Sequence, residues 1–139
     1  MMRVVLDTNV LVAGFRSRDG ASFRILELLE GAAELTPCVS VPLVLEYEAA
    51  LRRLLGQDDW RIEPFLDYLC EIGEKREIFF LWRPFLRDAG DEMVLEVAVG
   101  AAVEAIVTHN VRDFDGVDEH FGIRVLTPGT LLQELEERK

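Results

Sequence analysis

The chain alternates between short apolar runs and longer segments in which apolar residues recur at helical spacing. Val4-Val5-Leu6 is an aliphatic run of the kind that fills a strand buried on both faces. Similar composition predicts strands at residues 35–40, 77–82, 105–108 and 123–126. The polar residues that follow the first run mark the end of the first strand.

Helical periodicity occupies most of the segments between these strands. Ser40 is a suitable N-cap for a helix that has Pro42 in its first turn and continues to Leu55. Asp91 begins a helix with a wide apolar side, and Trp60 has the spacing of a core residue in the helix that it begins. The other predicted helices cover residues 10–14, 21–30, 60–72 and 128–137, with a short turn or helix at 111–114.

Alternation of strands and helices along one chain is typical of α/β proteins. We therefore expect a three-layer sandwich with a mostly parallel central sheet flanked by helices. The length of 139 residues suits one domain with a sizeable core, and neither a repeat nor a linker interrupts it. The prediction is a single domain over residues 1–139.

Half of the residues are hydrophobic and 29% are charged, as in ordinary globular proteins. No apolar run reaches the roughly 18 residues of a membrane span, and the N-terminus lacks the apolar core of a signal peptide. A cytoplasmic location without membrane contact is the expectation. Cys38 and Cys70 lack CxxC spacing, which favours buried free thiols over a zinc site or a disulfide.

The net charge of −11 argues against a broad basic surface for duplex nucleic acid. It does not exclude an enzyme whose acids bind metal ions, because such carboxylates face a cation rather than a phosphate. Any favourable surface for a phosphate backbone is expected in the less acidic first part of the chain, around Arg16, Arg18 and Arg24.

Asp7, Thr8 and Asn9 stand where the first strand must end and a helix begins. Ligands of open parallel sheets bind at the carboxyl edge of the strands, and a carboxylate beside a hydroxyl and an amide is suited to a divalent cation. The competing interpretation is that one of these residues merely caps the helix. This stretch alone supports both interpretations equally.

Further acids and amides follow predicted strands or lie near helix starts. They are Glu46, Asp91 and Glu92, and then Asn110 and Asp113 after the strand that ends at Thr108. In a parallel sheet these groups would converge on the same edge as Asp7.

Carboxylates packed within a few ångströms repel one another and raise each other's pKa unless a cation compensates. Oxygen ligands without a Cys/His cluster suit Mg²⁺ or Mn²⁺ rather than zinc. Such ions activate a water and stabilise the charge on an attacked phosphate, so no side-chain nucleophile is required. The pattern favours phosphodiester hydrolysis over acyl transfer.

Four segments together resemble the PIN domain, and in particular the VapC-like toxins of bacterial and archaeal toxin–antitoxin pairs. They are the strand and turn Val4–Val10, Glu46 between Leu45 and Tyr47, Asp91-Glu92 before an alanine-rich helix, and the segment Ile106–Phe114. The match covers nearly the whole chain. The resemblance implies a Mg²⁺- or Mn²⁺-dependent endoribonuclease acting on RNA, often a homodimer, that is neutralised by an antitoxin protein.

The resemblance also implies roles for individual residues. Asp7 and Asp91 would be metal ligands and Glu46 the second acid of the catalytic set, while Glu46, Glu92 and Asp113 are further candidate ligands. Asp88, Asp91 and Glu92 are near neighbours, and register alone decides which of them takes the ligand role; Asp91 is preferred because it stands at the helix start. Thr8 would supply a hydroxyl at the site, Asn9 would brace the acids, and Thr108 and Asn110 would support the site. This chain departs from many relatives at position 110, where Asn replaces Asp.

That departure motivates a second hypothesis, a catalytically weak PIN-fold protein that acts mainly as a binding partner. A phosphatase of the haloacid-dehalogenase type also begins with a strand-end aspartate. Its chemistry requires a second aspartate two residues later, where this chain has Asn9. His109, at a strand end, has a structural and a phosphate-binding interpretation, of which the structural one is preferred.

Overall fold

The computed structural model describes residues 2–31, 34–75 and 85–138. Within these ranges five strands form one sheet, and every neighbouring pair is parallel. The strands are Met2–Leu6 (β1), Leu35–Val39 (β2), Glu74–Lys75 (β3), Ala105–Val107 (β4) and Arg124–Leu126 (β5). Helices flank the sheet, so the predicted α/β fold with a parallel sheet is confirmed.

The strands lie in the order β3-β2-β1-β4-β5, with β1 at the centre. From β1 the chain first adds strands on one side and later returns to add β4 and β5 on the other. Because parallel crossovers are right-handed, the two halves place their connecting helices on opposite faces. The order reverses between β1 and β4, and ligands of open α/β sheets bind in the crevice at this point.

The described helices are Thr8–Arg16 (α1), Ala21–Gly31 (α2), Val41–Leu55 (α3), Ile62–Ile72 (α4), Ala89–Ala101 (α5), Val117–Phe121 (α6) and Pro128–Glu137 (α7). A 3-10 turn spans Val111–Phe114. As predicted, Ser40 caps α3, since its hydroxyl accepts a 3.2 Å hydrogen bond from the backbone N–H of Leu43. None of the helices in the described ranges is both long and apolar enough to cross a membrane.

The structure corrects the predicted start of one helix and adds a short helix, α6. Helix α5 begins at Ala89 rather than Asp91, because the Asp88 carboxylate accepts hydrogen bonds from the backbone N–H groups of Gly90 and Asp91. Helix α6 was not expected. The strand predicted at residues 77–82 lies outside the described residues.

The core lies between the sheet and its helices and includes nearly all of β1, β2 and β4. Trp60 was expected in this core but is 79% exposed, because it lies in the turn before α4, where helical spacing does not apply. Phe65 does pack inward, edge-on to Phe15 at 4.9 Å between ring centroids. Cys38 is buried and Cys70 is partly buried.

Candidate active site

Asp7 follows the last residue of β1, at the point where the strand order reverses. Only 7% of the residue is exposed, and the carboxylate atom Oδ2 accepts a 2.7 Å hydrogen bond from the Thr108 hydroxyl. Asp7 occupies the N-cap position of α1, but its side chain makes no capping hydrogen bond to the helix. A capping role therefore does not account for this carboxylate.

Thr108 is the centre of a small hydrogen-bond network. Its side-chain oxygen donates to Asp7 and accepts from the side-chain amide of Asn9 at 3.3 Å and from the backbone N–H of Asn110 at 3.0 Å. The amide oxygen of Asn9 in turn accepts from the backbone N–H of His109 at 3.2 Å. The network ties the end of β4 to the start of α1, and Asn9 braces Thr108 rather than an acid.

The sequence prediction did not include the contact between His109 and Ser22. The Ser22 hydroxyl lies 2.6 Å from Nε2 of His109, and Ser22 is buried. This contact links α2 to the loop after β4. Ser22 and His109 are 87 positions apart, so no local sequence signal could have paired them.

Tyr47 holds the end of β1 from the side of α3. Its hydroxyl donates to the carbonyl oxygen of Leu6, and burial raises the pKa of the tyrosine well above its usual value, so the donor stays protonated. The neighbouring Glu46 keeps 37% of its side chain exposed and lies 3.8 Å from the Arg53 guanidinium. The structure therefore shows Glu46 in a partly exposed ion pair with Arg53.

Asp91 lies in the first turn of α5. Burial, together with the charges of Asp7, Asp88 and Asp113, raises its pKa to about 6. The pKa of Asp7 is also raised, mainly by burial and further by Asp113 and Asp88, while the hydrogen bond from Thr108 acts in the opposite direction. These four acids, from three distant parts of the chain, thus share one electrostatic environment.

Glu92, next to Asp91, has a different environment. It is 8% exposed, and its carboxylate accepts hydrogen bonds of 2.6 to 3.2 Å from the backbone N–H groups of Phe85 and Leu86. Both oxygens are occupied in holding the segment before α5. The neighbouring pair Asp91-Glu92 therefore divides into an acid that faces the site and an acid that supports a loop.

An open polar pocket of about 460 Å³ adjoins Asp91. It is lined by Phe85, Leu86, Arg87, Asp88, Asp91, Arg112, Asp113 and Asp115. Asp113 reaches it from the 3-10 turn, whose N-cap residue is Asn110. Two arginines and an aromatic ring in this lining were missed at the sequence level, where the basic residues of the first part of the chain were favoured.

The donor chemistry of this site suits a hard divalent cation, since carboxylate, hydroxyl and amide oxygens are the groups present. Burial first, and then neighbouring carboxylates, raise the pKa values of Asp7 and Asp91, and a bound cation would favour the ionised form of both. Within the described ranges no three His, Cys, Asp or Glu side chains already converge as a metal cage. The donor atoms present therefore suit a divalent cation, and Asp7 and Asp91 are the acids best placed to bind it.

A PIN domain family model matches residues 3–112 of the chain. The chain belongs to the PIN domain family. The matched region includes β1, α3, α5 and β4, and therefore Asp7, Glu46, Asp91 and Thr108. No curated protein matches the chain.

Two solved structures have a similar fold at low sequence identity. One is the structure of VapBC2 from Rickettsia felis bound to a DNA fragment from their promoter, with 15% identity, a TM-score of 0.61, and coverage of 91% of this chain and 98% of that chain. The other is VapBC-1 from nontypeable Haemophilus influenzae, with 15% identity, a TM-score of 0.52, and coverage of 92% and 99%. At this identity the likeness concerns the fold.

Proposed function

We propose that this PIN-domain protein is a metal-dependent endoribonuclease that hydrolyses RNA phosphodiester bonds and is the toxin of a toxin–antitoxin pair. One observation carries the enzymatic part. Asp7 lies at the switch point of the sheet, and its charge helps to raise the pKa of Asp91, a residue far away in the sequence. The pKa of Asp7 is raised as well. The fold shared with VapBC proteins supports the toxin role and an antitoxin partner.

Asp7 and Asp91 would hold Mg²⁺ or Mn²⁺, which when bound supplies an activated water and neutralises charge on the phosphate. Thr108 orients the Asp7 carboxylate, and Asn9 orients Thr108. Asp88 and Asp113 add negative potential that favours a cation. Thr8 would contribute its hydroxyl from the first position of α1, and Asn110 would support the site through its backbone contact with Thr108.

Glu46 is proposed as the second acid of the catalytic set. It stands in α3, which follows β2 from the same edge of the sheet, and metal binding would have to compete with its ion pair to Arg53. Glu92 is proposed to hold the loop before α5, because both of its oxygens already accept backbone hydrogen bonds. A cytoplasmic location and a homodimer belong to the same proposal.

A nuclease assay on single-stranded and structured RNA tests the enzymatic part. The native protein, stripped with EDTA and given Mg²⁺ or Mn²⁺, should cleave, and Asp7→Asn or Asp91→Asn should lower the rate about 100-fold or more. Asp67→Asn, an exposed acid on α4, is the matched control and should cleave normally. Equal cleavage by all four proteins would contradict the assignment of Asp7 and Asp91.

The toxin role is tested separately by expression in bacteria. Induction of the native chain should arrest growth, and co-expression with the protein encoded beside it should restore growth. The second candidate function, a PIN-fold binding partner with weak catalysis, is favoured by Asn110 in place of an acid. A protein that binds its partner but cleaves no RNA with either metal would support that candidate, and Asn110→Asp should then restore cleavage.

A further inference from the structure

Phe85 is a large apolar residue on the wall of an otherwise polar pocket. The residue is 37% exposed. Its ring nevertheless has a defined place, since it packs against Phe121 at 5.2 Å and His120 at 5.1 Å between centroids. The backbone N–H of Phe85 is held by Glu92. An ordered, partly exposed ring thus borders the same pocket as Asp91.

Gly116 allows the ring to take this position. A Cβ atom on Gly116 would lie 3.3 Å from Cζ of Phe85, closer than most side chains tolerate. Gly116 also has a φ of 84°, in the left-handed region that favours glycine. The loop after the 3-10 turn therefore accommodates an aromatic ring beside the site.

Arg87 and Arg112 line the same pocket among four aspartates. Neither guanidinium forms an ion pair within 4.0 Å to an acid of the described ranges. In a chain with a net charge of −11, two cations without such partners next to the catalytic acids are available to an external anion. Phosphate oxygens are the anions that a guanidinium binds best.

An aromatic face next to cationic side chains is the arrangement that proteins use to bind unpaired nucleotides, with the base on the ring and the phosphates on the cations. We infer that Phe85 stacks on one unpaired base of the RNA strand beside the cleaved bond, while Arg87 and Arg112 contact the adjacent phosphates. This inference rests on the proposed ribonuclease function and names the contacts that select a single-stranded segment. A base paired in a duplex does not offer its face to Phe85.

A double-mutant cycle between the ring and the base tests the inference. Binding of a fluorescein-labelled single-stranded RNA of about ten nucleotides is measured by anisotropy in the Asp7→Asn background, which prevents cleavage. Phe85→Leu should weaken binding about ten-fold, and one abasic nucleotide, found by scanning the strand, should weaken binding to the Phe85 protein similarly. Together the two changes should cost little more than either alone.

Phe85→Trp keeps an aromatic face and should retain the coupling to that base, which separates stacking from damage to the fold. Trp60→Leu is the matched control, because Trp60 is 79% exposed and borders a different groove, and it should leave binding unchanged. If the loss of affinity from Phe85→Leu and the loss from the abasic nucleotide multiply at every position, the inference is overturned. The proposed ribonuclease function would not be affected by that result. Absence of RNA binding and cleavage by the native protein would overturn both the inference and the function on which it rests.

Discussion

The Thr108 hydroxyl donates a 2.7 Å hydrogen bond to Oδ2 of Asp7, joining residues 101 positions apart. The register of the sheet explains the contact. Leu6 pairs with Val107, so the residues that follow them, Asp7 and Thr108, lie side by side at the same edge of the sheet. Thr108 is fully buried, so the bond is formed in a region of low dielectric where it strongly constrains the carboxylate. The proposed metal ligand is thereby oriented by the neighbouring strand.

Thr108→Val should destabilise the protein and weaken the site. Valine has a similar shape but removes the donor to Asp7 and the acceptor for Asn9 and Asn110. Loss of these buried hydrogen bonds should cost about 1–3 kcal/mol of unfolding free energy, and metal affinity should fall about 10- to 100-fold. Urea unfolding and metal titration measure the two effects.

Thr108→Ser is the matched control for that experiment, because it keeps the hydroxyl and loses only a methyl group. It should retain most of the metal affinity. Equal losses of metal affinity in the Ser and Val variants would show that packing, rather than the hydroxyl, supports Asp7.

Added Mg²⁺ or Mn²⁺ should raise the melting temperature. A cation that binds the folded state alone stabilises it by about 2.7 kcal/mol at 100 times Kd, which corresponds to a rise of several degrees for a domain of this size. The rise should disappear in Asp7→Asn and Asp91→Asn and persist in Asp67→Asn. A melting temperature that does not change with either metal would count against Asp7 and Asp91 as ligands.

In the metal-free protein, ionisation of Asp91 should lower the free energy of unfolding as the pH rises from about 4 to about 6. The pKa of Asp91 is raised from 3.8 to about 6, so over this range the folded state binds more protons than the unfolded state. The free energy of unfolding then falls with pH, and the contribution is fully present only below the unfolded pKa. Above about pH 6 both states are ionised, and the loss is complete.

Asp91→Asn removes this titration and is compared with the native protein by urea unfolding between about pH 4 and pH 7. Its stability relative to the native protein should increase across that interval. The comparison of the two proteins is needed because Asp59 and Glu134 have lowered pKa values, which contribute a slope of opposite sign in both. A constant difference between the two proteins at all pH values would contradict the raised pKa of Asp91.

Arg112→Ala should weaken binding of single-stranded RNA and reduce its salt dependence. If Arg112 contacts one phosphate, the slope of log K against log salt should fall in magnitude by about 0.7. Arg24→Ala provides the comparison, since Arg24 is exposed on α2 and belongs to the basic region that the sequence favoured. A larger change of slope for Arg24 than for Arg112 would place the phosphate contacts in that first region instead.

The amino-acid sequence by itself determined the features that depend on near neighbours. Apolar composition indicates β1, β2 and β4, and Ser40 indicates the start of α3. The position of Asp7 at the end of a strand is also evident from its neighbours in the sequence. These signals are local because strand burial and helix capping depend on residues within a few positions. The resemblance to PIN domains was carried by the same segments.

Only the tertiary structure decided which acids share one site. The charges of Asp7, Asp88 and Asp113 act on Asp91, whereas both oxygens of Glu92 hold the backbone of a loop. The sequence shows all of these residues as acids near strand or helix ends and does not distinguish them. Strand order, register and the turn at Gly116 bring distant residues together, and those relations are set by packing across the whole domain rather than by any local pattern.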